Sequence, residues 1–354
     1  MTRQFFLFPF LLFSLSPFYS FSQTGGRAIY EFLQLSPSAR VTALGGRYIS
    51  MQDTANPDVV LAQMNPAILS THSTKSISIN QSFYFGGTRF STLSGAFHLP
   101  KENITVHAGL QYLNYGKFQG TDEFGNKTNE FNASDMALIA GASKKLFDNL
   151  SIGLNLKFIF SQLETYKSSG LGIDLGALYT LKQDYQYLGL SVRHMGIQWD
   201  PFYETREPLP FNIELGYTRR LEYVPIQFSI TAHDLQRWSL RYDNPDAEVS
   251  IFGEPVNAPS SLERFIDNAA RHLIFGAEVF IGKYAPLRLR LGYHHQRHQE
   301  LKDQNYRGLS GFSGGVGIKL SRLSFDYGMA NYHLAGSMHS IGLTLRLKQV
   351  KSLL

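Results

Sequence analysis

The sequence predicts an all-β protein: a transmembrane antiparallel β-barrel of about fourteen strands with an N-terminal hatch of short helices. Three observations predict it. From Lys75 onward the chain falls into segments of about ten residues that alternate apolar with polar or small side chains, the period of a strand with two unlike faces. The apolar face of each segment is free of Asp, Glu, Lys and Arg, while the other face is rich in Gly, Ser, Thr and Asn. That face suits a barrel lumen better than the charged exterior of a soluble sandwich. The links between segments alternate short and long, as periplasmic turns and external loops do in an outer-membrane barrel.

Taken in order, the chain begins with Arg3 ahead of an apolar run from Phe5 to Phe13. The run is too short for a membrane helix and has the length of a signal-peptide core, with Ser20 and Ser22 spaced for cleavage before Gln23. Residues 1–22 are therefore expected to be a cleaved export signal. Residues 23–73 form the hatch. Within it Ser36 can cap a helix starting at Pro37, with Gly45-Gly46 as the stop, and Asn65-Pro66 opens a second turn through Ala67, Ile68 and Leu69. A segment this small cannot build its own core and must pack into a host.

Residues 74–348 are the barrel. Ile77, Ile79, Phe83 and Phe85 share one face of the first segment, and Leu93, Phe97 and Leu99 one face of the second. The alternation is cleanest in Leu150, Ile152, Leu154, Leu156, Phe158 and Phe160 against Ser151, Gly153, Asn155 and Lys157. It continues to Ile341, Leu343, Leu345 and Leu347, and residues 349–354 form a C-terminal extension. The expected strand length is about 9–11 residues. Short links run over Pro100–Asn103, Lys145–Asn149, Lys182–Gln186, Arg219–Pro225, Gly282–Pro286 and Ser321–Arg322. Long ones run over Lys117–Ser134, Gln162–Ser169, Gly196–Pro210, Gln236–Arg271 and Gln296–Ser310. The link Gly86–Thr88 breaks the rule: it is external by parity yet short, which predicts a low wall there or a misplaced strand end.

Composition narrows the chemistry. Cysteine is absent, which removes disulfides, thiolate metal sites and thiol catalysis. Loss of Arg3 with the leader lowers the formal charge from +5 to +4, too mild to argue for nucleic acid. No nucleophile elbow, phosphate loop or metalloprotease motif is present, and neither enzymatic activity nor a cofactor is expected. His294, His295 and His298 cluster near a strand end without a paired acid at motif spacing, and are read as a solvated loop rather than a ligand set. His107, His194 and His233 sit singly and are read as lumen or rim residues. Asp174, Glu214, Glu278 and Asp326 share the polar face with Arg193, Arg288, Arg290 and Arg346 and are read as charge networks of the lumen. In the long loop Gln236–Arg271, Leu262, Phe265, Ile266, Ala269 and Ala270 recur at helical spacing, so that a short amphipathic helix either docks a partner or folds over the mouth as a lid. Trp238, Tyr242 and Phe252 add aromatic anchors.

With the barrel placed, the hatch block resembles the PorQ and PorV group of the type IX secretion system, the PorQ side more closely. The residues that carry the resemblance are Gly25-Gly26, Tyr30, Phe32-Leu33, Leu35, Ser38-Ala39-Arg40, Ala43-Leu44-Gly45-Gly46 and Asn65-Pro66-Ala67. The last element is also similar to the hatch of long-chain fatty-acid channels, a wider group of fourteen-stranded barrels with an N-terminal plug. The resemblance implies a bacterial outer-membrane component of a cell-surface attachment complex, whose partners are PorZ-like, PorU-like and PorV-like proteins and which helps attach secreted cargo to lipopolysaccharide. The alternative it leaves open is an outer-membrane channel for hydrophobic small molecules, with lipid or a hydrophobic ligand as its partner. In either case Arg40 is expected to pair with Asp174, Glu214 or Glu278.

Overall fold

The computed structural model describes residues 28–53, 57–182, 185–241, 260–283, 285–301, 309–333 and 336–347. Fourteen strands close into one antiparallel barrel. They are β1 (Ser76–Phe83), β2 (Arg89–Leu99), β3 (Ile104–Thr121), β4 (Lys127–Phe147), β5 (Leu150–Leu163), β6 (Tyr166–Lys182) and β7 (Gln186–Asp200), then β8 (Asn212–Arg220), β9 (Ile226–Ala232), β10 (Leu273–Ile281), β11 (Leu287–His294), β12 (Phe312–Lys319), β13 (Leu323–His333) and β14 (Gly336–Arg346). β1 pairs with β14 from Ser76 opposite Arg346 to Phe83 opposite His339, which removes any free sheet edge from the wall. Among the described residues no helix is long and apolar enough to cross a membrane.

The two faces divide as the alternation requires. Ile77, Ile79, Leu93, Phe158, Phe228, Leu289 and Leu343 stand outward and exposed, while Ser78, Asn80, Ser94, Asn155, Ser191 and Thr231 are buried in the lumen. An apolar exterior around a polar interior is the inverse of a soluble protein and places this barrel in an outer membrane.

Strand length departs from the uniform expectation. β9 has 7 residues whereas β4 has 21, so the wall is tall over β3 to β7 and low over β8 to β12 and at β1. Two of the expected long loops, Lys117–Ser134 and Gln162–Ser169, are therefore largely strand: β3 and β4 stay paired past the wall as far as Thr121 opposite Lys127, and β5 and β6 to Leu163 opposite Tyr166. Local pairing continues there because β-rich sequence on both arms, with a tight Asp122–Asn126 tip, satisfies its own backbone. The short Gly86–Thr88 link corresponds to a truly low wall. β1 ends at Phe83, and the left-handed Gly86 and Gly87 (φ 68° and 77°) turn the chain back into β2.

The hatch fills the lumen. Its helix α1 (Ala39–Ala43) starts from Ser38, whose Oγ accepts from the Val41 N–H, and not from Ser36. Ser36 is instead engaged by the Ser38 carbonyl and Thr42 Oγ1. Gly45 and Gly46, at φ 97° and 96°, end the helix as expected, and Asn65 caps the Pro66–Ile68 turn through the Ala67 N–H. The lumenal glycines are where this plug comes closest. A Cβ on Gly189 would stand 2.3 Å from the Ile49 carbonyl oxygen, and one on Gly328 2.3 Å from that of Ala39.

Candidate functional site: the plugged lumen and its mouth

The hatch is held by two kinds of contact. Ile29, Tyr30, Phe32 and Leu33 pack on Phe90, Leu113, Ala137 and Ile159, an apolar seam against the β2 to β5 wall that Leu209 of the β7–β8 link completes. The following stretch, from α1 to Asp53, meets the opposite wall through ions. Arg40, fully buried, donates from Nη2 to Glu278 Oε2 at 2.8 Å and from Nη1 to Asp53 Oδ2 at 3.2 Å. Arg290 bridges Glu278 Oε1 (2.8 Å) and Asp326 Oδ1 (2.6 Å), and Arg288 closes the network on Asp53. A second knot binds Arg47 and Arg193 to Glu214, with Arg193 also donating to the Leu33 carbonyl at 3.2 Å. A third joins Lys157 to Asp174 at 2.6 Å, and Asn155 ties Asp174 (3.2 Å) to the hatch carbonyl of Ala62 (2.9 Å) and to His107 (2.7 Å).

Of the residues expected in lumen networks, Asp174, Arg193, Glu214, Glu278, Arg288, Arg290 and Asp326 are all buried there, while Arg346 is only half-buried, at the short-turn end of β14. Among the three acids proposed for Arg40, the structure selects Glu278. The hatch residues Ser38, Ala39, Arg40, Asn65, Pro66 and Ala67 are buried as well, and Gly45 and Gly46 lie against the wall or within the plug. Sequence reasoning missed Arg47, Asp53 and Asp135, and placed Lys157 on the polar face without naming it in a charge network. Lys157 and Asp135 occupy lumenal strand positions that alternation alone assigns. Nothing in the local pattern marks Arg47 or Asp53, whose wall partners Glu214 and Arg288 lie far away in the chain.

At the loop end the plug stops short of the rim and leaves a cavity of about 600 Å³, lined among others by Glu31, Arg47, His233, Asp234, His294 and Arg297. His233 Nδ1 and Asp234 Oδ2 are 2.6 Å apart, and the His233 ring meets His294 edge to face at 4.9 Å. Burial pulls the Asp234 carboxyl upward, but its hydrogen bond with His233 and the charge of Arg47 outweigh this and hold it below the usual range. Burial likewise raises the Glu31 carboxyl and lowers the His233 imidazole. The expected solvated histidine loop is a short helix instead, α3 in the chain (His295–Glu300), and His294 is buried in the lumen. Tyr293 Oη pairs with His295 Nδ1 at 2.9 Å, and His298 Nδ1 with the Ser310 carbonyl at 2.9 Å. Among the described residues no group of three or more His, Asp or Glu is placed to hold a metal ion.

Between β9 and β10 the expected amphipathic helix is present as α2 (Ser261–Arg271), opened by a capping box between Ser260 and Glu263. Leu262, Phe265 and Ile266 are exposed, and Trp238 meets Phe265 in a tilted contact with ring centres 5.3 Å apart. Tyr242 and Phe252 lie outside the described residues.

No family model matches the chain, and no curated protein does. Solved structures do share its fold. The toluene transporter TodX of Pseudomonas putida aligns with 88% of this chain and 97% of its own at 13% identity and a TM-score of 0.51. The monoaromatic hydrocarbon channel CymD aligns with 89% and 99% at 14% identity and a TM-score of 0.52. At such identities the likeness concerns the fold: a fourteen-stranded outer-membrane barrel.

Proposed function

We propose that this chain is a non-enzymatic outer-membrane scaffold, a barrel sealed by its own hatch that holds a surface partner. In the terms of the type IX secretion system, the partner would be PorZ-like, working with PorU-like and PorV-like proteins to attach cargo to cell-surface lipopolysaccharide. The observation that carries this reading is the character of the lumen. A path for an apolar solute needs an apolar interior that opens. Here the inner face of the wall is largely polar, the plug is tied to it by two buried ionic knots, and the mouth cavity carries Glu31, Arg47, His233, Asp234, His294 and Arg297 in its lining. The hatch block Ser38-Ala39-Arg40, Gly45-Gly46 and Asn65-Pro66-Ala67 supports the assignment to this group. The test is purification from native membranes in mild detergent after cross-linking. Recovery of a surface protein of the attachment complex is expected, and recovery of the barrel alone, with cargo attachment normal in a deletion strain, would sink the reading.

The second reading is a channel for hydrophobic small molecules. The fold shared with a toluene transporter and a monoaromatic hydrocarbon channel favours it, and on fold likeness alone it has the better support. It predicts bound lipid or hydrocarbon in the purified barrel and hydrocarbon uptake into proteoliposomes. The scaffold reading predicts neither.

A further inference from the structure

The contacts of α2 decide which way its apolar side faces. Asn268 accepts from the Leu240 N–H at 2.9 Å and donates to the Trp238 carbonyl, and His272 Nδ1 lies 2.7 Å from the His233 carbonyl, so this side of the helix is tied to the rim. The flank carrying Asp267 and Arg271, themselves paired at 2.8 Å, faces α3, with His295 Nε2 3.8 Å from Asp267. Leu262, Phe265 and Ile266 lie on the remaining side, 67%, 57% and 57% exposed, and Trp238, also 57% exposed, extends their stripe. A lid would bury this stripe over the mouth, yet it stands exposed while the other sides of the helix are tied to the rim and to α3.

Two further features identify what covers the stripe. Through His272 the helix runs directly into β10, whose outward side chains Phe275 and Ile281 belong to the lipid-facing belt, next to Phe228 and Ile230 of β9. The apolar side of α2 is thus continuous with the membrane interface of the barrel. It also lies where the wall is lowest: the 7 residues of β9 fall short of the ~9–11 that a tilted strand needs to span. An apolar helix at that rim extends the apolar height the strand lacks. Both tryptophans of the chain, Trp199 on β7 and Trp238, stand exposed at this end of the barrel, where interfacial aromatics belong.

We propose that α2 and Trp238 form an in-plane membrane anchor, lying in the headgroup zone of the leaflet at the loop end with Leu262, Phe265 and Ile266 among the acyl chains. The anchor rests on the membrane location of the barrel and is independent of the scaffold role. Trp199→Phe leaves Trp238 as the sole tryptophan and the helix unaltered. In vesicles of phosphatidylcholine brominated near the headgroup, Trp238 emission is expected to fall about two-fold, with less quenching by lipid brominated near the chain end and little by aqueous iodide. Free access of iodide with no bromine quenching would overturn the anchor and make the face a protein-docking surface. In the same background, the triple change Leu262→Ser, Phe265→Ser and Ile266→Ser is expected to abolish most of the bromine quenching while the barrel keeps its heat-dependent gel migration. Undiminished quenching would show that α2 is not what immerses Trp238, and would overturn the anchor equally. A failed search for a surface partner would leave these outcomes as they stand.

Discussion

The two halves of the plug grip the barrel differently. Residues 29–33 dock on the tall wall through an apolar seam, whereas Arg40, Arg47 and Asp53 dock through buried ion pairs, with Glu278 and Arg288 on the low wall and Glu214 on β8. An apolar seam is non-directional and tolerates small shifts; a buried ion pair holds only while both partners stay in place, because a lone charge in a dry interior is costly. The apolar contacts, which also include Val41, Leu44, Tyr48, Ile49 and Met51 in one cluster with Leu178 and Tyr187, therefore supply adhesion, and the ion pairs fix where the plug sits.

The comparison can be broken most forcefully at Arg40. Arg40→Ala leaves a buried network, in which Glu278 keeps Arg290 and Asp53 keeps Arg288, short of one positive charge and is expected to cost about 4 kcal/mol of hatch docking while the barrel still inserts. Planar-bilayer conductance should rise and the hatch become open to protease; unchanged conductance and protease resistance would remove the ionic lock. Leu33→Ala, in the apolar seam, is expected to cost about 3 kcal/mol, measured as a lower urea midpoint for hatch release, with conductance nearly unaltered. A larger opening than that of Arg40→Ala would reverse the proposed division of roles.

Smaller effects sharpen the picture. Gly328→Ala pushes a methyl group against the Ala39 carbonyl and is expected to destabilise the plug by about 2 kcal/mol by the same urea assay. Asn65→Ala removes the cap of the Pro66–Ile68 turn and should cost about 1 kcal/mol, with amide exchange at Ala67 accelerated. Phe118→Ala, in the hairpin above the wall where Phe118 stacks on Phe131 at 5.4 Å, should cost about 0.5 kcal/mol and leave the plug untouched. A change in conductance from this last variant would mean that the tall hairpin and the hatch are coupled.

How much was legible in the sequence follows from the range of each interaction. The assignment of Asp174, Glu214 and Glu278 to the lumen needs only their place in a two-residue alternation, since one step along a strand swaps lipid for lumen. The cap at Asn65 is likewise a matter of neighbours, two residues apart. Ser36 was the wrong cap because Pro37 and Ser38 both follow it, and only the backbone path decides which hydroxyl reaches a free N–H. The sequence of the long strands beyond the membrane resembles loop because, with no lipid outside, the alternation that marks a strand fades while its pairing persists.

The sequence by itself determined the strand count, the closed barrel and the inward and outward faces, because each follows from local periodicity imposed by two unlike surroundings, and it marked an N-terminal segment too small to fold without a host. Only the tertiary structure decided which charges meet. Arg40 and Glu278 are 238 residues apart, and three lumenal acids were equally eligible until barrel closure and plug packing brought one of them to 2.8 Å. It also decided the direction of α2, whose stripe is the same on either face of the rim until Asn268 and His272 tie one side down. Periodicity records what each side chain is surrounded by, and packing alone selects the partner.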